Sequence, residues 1–207
     1  MSQQDPEDEA QLQSRSLPET ILDDNGDLKL VVGGADGEST RQIFIVCSRT
    51  LSRASTVFKR MLYGQFKESA STSRAEGQWT VHLPEDDPAT MKLALAILHA
   101  LFDRVPGTLD LNQLYELLIL LDKWDMMLIV KPWAKIWFKK IRRIGNEQPL
   151  EELRYMWVAW QVGARSHLDD LARSHARRLC KDGTLRESPG IKYTEYPVRE
   201  VPGLFGR

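Results

Sequence analysis

Apolar and polar positions alternate in two short early stretches of the chain and then shift to helical spacing. Leu28, Leu30 and Val32 are separated by Lys29 and Val31, and Gly33-Gly34-Ala35-Asp36-Gly37 reverses the chain. Gln42-Ile43-Phe44-Ile45-Val46 returns, so residues 28–46 predict a β-hairpin. Ser48 is placed to cap a helix running to about Leu62, with Leu51, Ala54, Val57, Phe58, Met61 and Leu62 on one face. Tyr63-Gly64-Gln65 breaks that helix, and residues 69–78 form a polar loop. Trp79, Val81 and Leu83 alternate with Thr80 and His82, which predicts a third strand.

Asp87-Pro88 is a helix start, and Met91 to Phe102 is apolar on most sides, as a helix central to the core would be. Beyond the turn at Val105-Pro106-Gly107, further helices are predicted over Asn112–Lys123, over Lys131–Arg143 (entered through Pro132), and over roughly 149–163 and 167–181. Ahead of the hairpin, residues 1–16 are too polar to order themselves, and Ser16-Leu17-Pro18-Glu19 reads as the start of a short helix ending by Asn25-Gly26. The Pro- and Gly-bearing tail from Gly183 reads as extended or disordered, and no internal repeat is visible.

At 207 residues the chain allows one principal domain with extensions. The formal net charge is −1, which removes polycation character from the whole. Its distribution is uneven: eight acids against Arg15 in residues 1–27, and six bases with no acid in residues 131–143. Two cysteines, Cys47 and Cys180, are too few for a disulfide framework or a self-contained zinc site. The acidic N-terminus has no secretory character, and the apolar stretches at 93–102 and 114–121 fall short of the roughly 20 residues of a membrane span. The expectation is an intracellular protein, cytoplasmic or nuclear, without a membrane contact.

Five pieces of this pattern, in order, resemble the BTB/POZ domain. They are Asp27-Leu28-Lys29-Leu30-Val31-Val32, the family's opening strand; Leu51 to Phe58, its first core helix; and the tetrapeptide Phe66-Lys67-Glu68-Ser69. Val81-His82-Leu83 with Asp86-Asp87-Pro88, and Leu117 to Met126 with Asp122-Lys123-Trp124, complete the set. The resemblance covers residues 27–143 and implies an α+β fold, a helical cluster with a small three-stranded sheet. An acidic segment (1–26) would precede it, and extra C-terminal helices (149–181) and a flexible tail (182–207) would follow. Cys47-Ser48 stands where the family has His followed by a basic residue. The architecture is similar to the compact BTB-only proteins common in fungi.

That resemblance implies a non-enzymatic interaction module. Phe66-x-Glu68 fits the hydrophobic-x-Glu pattern that many family members present to a cullin ubiquitin-ligase scaffold, an aromatic anchor beside a register-fixing carboxylate. The plainer reading has Phe66 packed under the following loop and Glu68 solvated. Family dimers form through the first helix and often an exchanged N-terminal strand, which implies a homodimer surface including Leu28, Leu51, Ser55 and the segment Leu17–Leu22. The helices beyond 149 either extend a cullin contact or only cap the domain.

Other constellations carry competing readings. Trp133, Ile136, Trp137 and Ile141 lie at helical spacing among Lys131, Lys135, Lys139, Lys140, Arg142 and Arg143. A basic aromatic helix can grip a nucleic-acid backbone or an anionic membrane surface, and a nucleic-acid-associated regulator using Lys139, Lys140, Arg142 and Arg143, with Arg165, Arg173, Arg177 and Arg178, is the alternative function. The same pattern suits an amphipathic helix with its aromatics in the core and its charges solvated. The glycine loop at 33–37 lacks a following Lys-Ser/Thr, and the histidines have no ligand spacing, so neither a phosphate loop nor a metal site is expected. Cys47 reads as a small buried hydrophobe. No catalytic constellation, cofactor or small-molecule substrate is indicated.

Overall fold

The computed structural model describes residues 17–35, 41–64, 79–141, 149–170 and 173. The chain divides into two compact units, residues 1–101 and 102–207. The division falls inside the 27–143 span that the sequence assigns to one domain.

The first unit is α+β. Its sheet comprises β1 (Glu19–Ile21), β2 (Leu28–Val32), β3 (Gln42–Val46) and β4 (Thr80–Leu83), in the order β1-β3-β2-β4. β2 and β3 form the antiparallel hairpin the alternation predicts, and β4 lies parallel to β2 on its other side. Register builds one apolar layer across the sheet: Leu30 stands between Phe44 and Val81, Leu28 beside Val46, and Val32 beside Leu83, all buried. Each such side chain taken from water contributes about 1.5–3 kcal/mol.

The sheet has four strands where three were expected, because residues 19–21 form β1 instead of a helical turn. A three-residue piece cannot nucleate a helix alone, whereas pairing beside β3 satisfies its backbone. The Ile43 amide donates to the Pro18 carbonyl (2.9 Å) and the Leu22 amide to the Ile45 carbonyl (3.0 Å). β-branched Thr20 and Ile21 suit that geometry, and Gln42 Nε2 donates to Thr20 Oγ1 at 2.8 Å.

The helix expected over 48–62 is two helices, α1 (Ser48–Ala54) and α2 (Thr56–Tyr63). Ser55 is extended (φ −134°, ψ 123°) and its hydroxyl accepts from the Phe58 amide at 2.9 Å. A serine that can cap three residues ahead competes with continuing the helix, and here the cap wins. α3 (Pro88–Leu98) begins as predicted: Asp87 accepts from the Thr90 amide and hydroxyl, both at 2.7 Å, and Pro88 sits in the first turn. It buries Met91, Ala94 and Leu95 and packs with α1 and β3.

α3 stops before Phe102 because Ala100 is left-handed (φ 57°) and the Leu101 amide turns back to the Ala96 carbonyl at 2.9 Å.

The second unit is helical among its described residues. It contains a 3-10 turn (Phe102–Arg104), α4 (Leu111–Lys123), a second 3-10 turn (Met127–Val130), α5 (Lys131–Lys140), α6 (Pro149–Gln161) and a further helical stretch at 165–170. Asp110 and Gln113 close a reciprocal capping box on α4, at 2.8 and 3.1 Å. α6 packs on α4, with the Tyr115 and Trp157 rings edge to face at 5.2 Å and Arg154 donating to Asn112 Oδ1 at 2.6 Å. Phe138 of α5 meets Tyr155 of α6 at 4.8 Å, and Trp137 donates its indole N–H to the Pro106 carbonyl at 2.9 Å. No helix among the described residues is long and apolar enough to cross a membrane.

α4 and α6 end as α3 does, with left-handed Asp125 (φ 52°) and Gly163 (φ 70°), and backbone bonds from Met126 to Leu121 (2.7 Å) and from Ala164 to Ala159 (2.8 Å). Left-handed backbone costs a non-glycine residue about 1–2 kcal/mol. Glycine gives back about 0.5–1 kcal/mol in unfolded-chain entropy. Ala100→Gly should therefore stabilise by about 0.5–1 kcal/mol in urea unfolding. Gly163→Ala, whose added methyl meets nothing within 4 Å, should destabilise by a similar amount. Equal midpoints for wild type and both variants would refute this account.

Candidate partner-binding surfaces

A connected polar cluster lies where α1 begins. Cys47 precedes the helix and supplies no side-chain cap, so the first amides need acceptors from elsewhere. The Ser48 amide donates to Asp27 Oδ1 and the Ser48 hydroxyl to Asp27 Oδ2, each at 2.8 Å. The Cys47 amide donates to His99 Nε2 at 3.1 Å. His99 Nδ1 sits 2.9 Å from the Leu95 carbonyl. A carbonyl only accepts, so Nδ1 carries the proton and Nε2 is the acceptor. Tyr63 OH lies 2.6 Å from Ser48 Oγ, which adds the end of α2 to the cluster.

Serine, histidine and aspartate thus come close without forming a nucleophilic relay. A relay needs the imidazole against the hydroxyl. Here the hydroxyl donates to the carboxylate and the imidazole nitrogen is taken by a backbone amide. The cluster is a cap, and Ser48 is its recipient where the sequence read it as the capping residue.

Of the expected site residues, Phe66 and Glu68 lie outside the described residues, in the connection between α2 and β4. The ends of that connection are held together, with the Tyr63 ring edge-on to Trp79 at 5.9 Å. Leu28, Leu51 and Ser55 are 1%, 0% and 1% exposed, so their side chains belong to the monomer's own core and to the α2 cap. On neighbouring positions Leu17, Ile21 and Val57 are exposed, Ile21 at 53%.

On α5, Lys139 and Lys140 are exposed, and Lys140 Nζ donates to the Gly107 carbonyl at 2.9 Å. α5 ends at Lys140, and Arg142 and Arg143 lie outside the described residues. Trp137 is buried and stacks on half-buried Trp133 (6.3 Å between rings), as the core reading requires. Ile136 departs from it. This residue is 52% exposed, because one helical step of about 100° carries it off the face that Trp137 occupies.

Within the second unit a cleft of about 500 Å³ is lined by Leu109, Asp110, Asn112, Gln113, Lys140 and Tyr155 among others. Several of its polar groups are engaged in structure: Asp110 and Gln113 cap each other, Asn112 accepts from Arg154, and Lys140 donates to Gly107. His82 is exposed on β4, and His167 lies edge-on to Phe138 at 5.6 Å. Among the described residues no group of three or more His, Cys, Asp or Glu side chains could hold a metal. Cys47 is a free, half-buried thiol.

Asp27 and His99 are the residues whose roles sequence reading missed. A signal was present: a cysteine is a poor helix cap, so a helix starting there needs a remote acceptor. Compared with protein-family models and with curated proteins, the chain matches none.

Asp27 serves two donors at one helix end, and hydrogen bonds to a charged group are worth about 1.5–3 kcal/mol each. Asp27→Ala should cost about 2–4 kcal/mol of stability and Ser48→Ala about 1 kcal/mol, with the double variant costing less than the sum. The check is a double-mutant cycle in urea. Strict additivity would show that the two residues do not act together.

Proposed function

We propose that this chain is a BTB-type protein-interaction module that self-associates and docks other proteins, among them a cullin ubiquitin-ligase scaffold. The observation carrying the reading is the course of the first unit. A hairpin leads into two short helices and then a strand that returns parallel to β2. This is the element order in which the family-like pieces occur. The Phe66-Lys67-Glu68-Ser69 tetrapeptide falls in sequence between α2 and β4, whose adjoining residues Tyr63 and Trp79 meet edge to face.

Self-association would use exposed neighbours of the expected dimer residues, since Leu28, Leu51 and Ser55 are enclosed. Ile21 and Leu17 on β1 and its lead-in, and Val57 on α2, are the apolar side chains available there. Sedimentation at about 100 μM should show a dimer that Ile21→Glu weakens; a strict monomer would remove self-association from the proposal.

Titration against the N-terminal domain of a BTB-binding cullin should give a Kd of about 1 μM or tighter, weakened at least about tenfold by Phe66→Ala and by Glu68→Ala. Binding indifferent to both substitutions, or none, would remove the cullin scaffold.

A further inference from the structure

The 3-10 turn at Met127–Val130 and helix α5 leave an apolar row on the surface beside a row of cations. Leu128 is 80% exposed and Ile136 52%, and Pro132 between them is exposed as well. α5 holds four lysines and no acid. At about 100° per residue, Lys131, Lys135 and Lys139 form one ridge, each a turn beyond the last, and all three are exposed. Pro132 and Ile136 form the adjacent ridge, and exposed Leu128 stands at the head of the two ridges, in the 3-10 turn that leads into α5. On the far side of the apolar ridge stands half-buried Trp133, whose ring meets exposed Phe102 at 5.5 Å. Ala134, Trp137 and Phe138 occupy the opposite, buried side of the helix.

The one-sidedness of this arrangement selects its ligand. A helix lying in an anionic bilayer sinks its main apolar face below the headgroups, whereas α5 has its main apolar face, Ala134, Trp137 and Phe138, buried within the unit. One flank of the exposed row is Lys131-Lys135-Lys139, and the other is Trp133 and Phe102, with the Lys140 ammonium already bonded to Gly107. A nucleic-acid backbone matches the lysines but would trap Leu128 and Ile136 against phosphates. Two parallel ridges, one basic and one aliphatic, are complemented by a helix bearing the same two ridges with the charge reversed.

We propose that this surface docks an amphipathic acidic helix of a partner protein. Carboxylates one turn apart would lie along Lys131, Lys135 and Lys139, and an aliphatic row would lie along Leu128, Pro132 and Ile136. The surface uses neither Phe66 nor Glu68, nor any residue of the first unit.

The test is fluorescence anisotropy of the full chain with a labelled synthetic helix of about five turns, bearing Glu and Leu in adjacent rows one turn apart. Binding in the tens of micromolar or tighter is expected, weakening at least about fivefold from 50 to 200 mM salt. Leu128→Ser with Ile136→Ser should weaken it at least about fivefold, and Lys135→Glu with Lys139→Glu at least about tenfold. All four residues are exposed, and circular dichroism verifies that each variant is folded. Lys59→Glu with Lys92→Glu, exposed lysines of the first unit, and Phe66→Ala should leave peptide binding unchanged. This last arm separates the surface from the cullin contact, so that either can fail alone.

No peptide binding, binding indifferent to Leu128 and Ile136, or loss on Phe66→Ala would overturn the proposal. So would tighter binding of phosphatidylserine vesicles or duplex DNA than of the peptide at equal salt.

Discussion

Helix α1 has seven residues and starts at a cysteine, so it has neither the length nor the cap to persist unaided. The Asp27 carboxylate meets that need from the residue before β2, and His99 assists from the end of α3. One helix end therefore ties together the start of β2, the start of α1 and the end of α3. The tie through Ser48 to Tyr63 carries the same constraint to the end of α2. Burial of Leu30, Phe44, Leu51, Phe58 and Leu95 supplies most of the driving force, but it is nondirectional. The Asp27 bonds supply direction, selecting one placement of α1 from several that would bury a leucine.

The second unit is organised differently, because α4 needs no outside help to begin. Asp110 and Gln113 cap α4 reciprocally, and the leucine face can then set its neighbours. Aromatic edges do much of that setting: Trp157 against Tyr115, Tyr155 against Phe138, and the Trp137 indole N–H against Pro106. Each ring buries a large area while its edge contact or N–H fixes orientation. α6 is thereby part of a packed helical layer with α4 and α5. The helix ends show what was held constant. α3 and α4 accept strained alanine and aspartate at left-handed positions, so the direction of the following chain mattered more than the local cost.

Where period alone determines structure, the elements were legible: the hairpin from Leu28 to Val46, the strand at Val81, the Asp87-Pro88 helix start and the leucine face of α4. The departures share a cause. β1 is three residues whose meaning comes from pairing with β3, a contact that no local pattern encodes. Ser55 splits a helix because two local options, continuing or capping, differ by less than the packing of Phe58 and Leu62 decides. Leu28 and Leu51, which the family resemblance implies for a dimer surface, are enclosed in this chain, where their alternation and helical spacing would put them. The Asp27 and His99 bonds span 21 and 52 residues, beyond any local reading.

The α5 surface shows why a helical wheel gives the core face more readily than the working face. Trp137 and Phe138 are held by burial, so hydrophobicity finds them. Ile136 is the same kind of residue to any hydrophobic pattern, yet it points to water. Among single exposed aliphatics this is ordinary. Here, however, Pro132 and Ile136 fall one turn apart with Leu128 at their head, and the lysines next to them recur at the same interval. Coincidence of exposure spreads apolar side chains over a surface, whereas these fall in a line with a parallel line of charge. A stability requirement would have turned the aliphatic row inward, and a solubility requirement would have made it polar. A row of one character set beside a row of another is what a helical partner reads, because its own side chains repeat at the same interval.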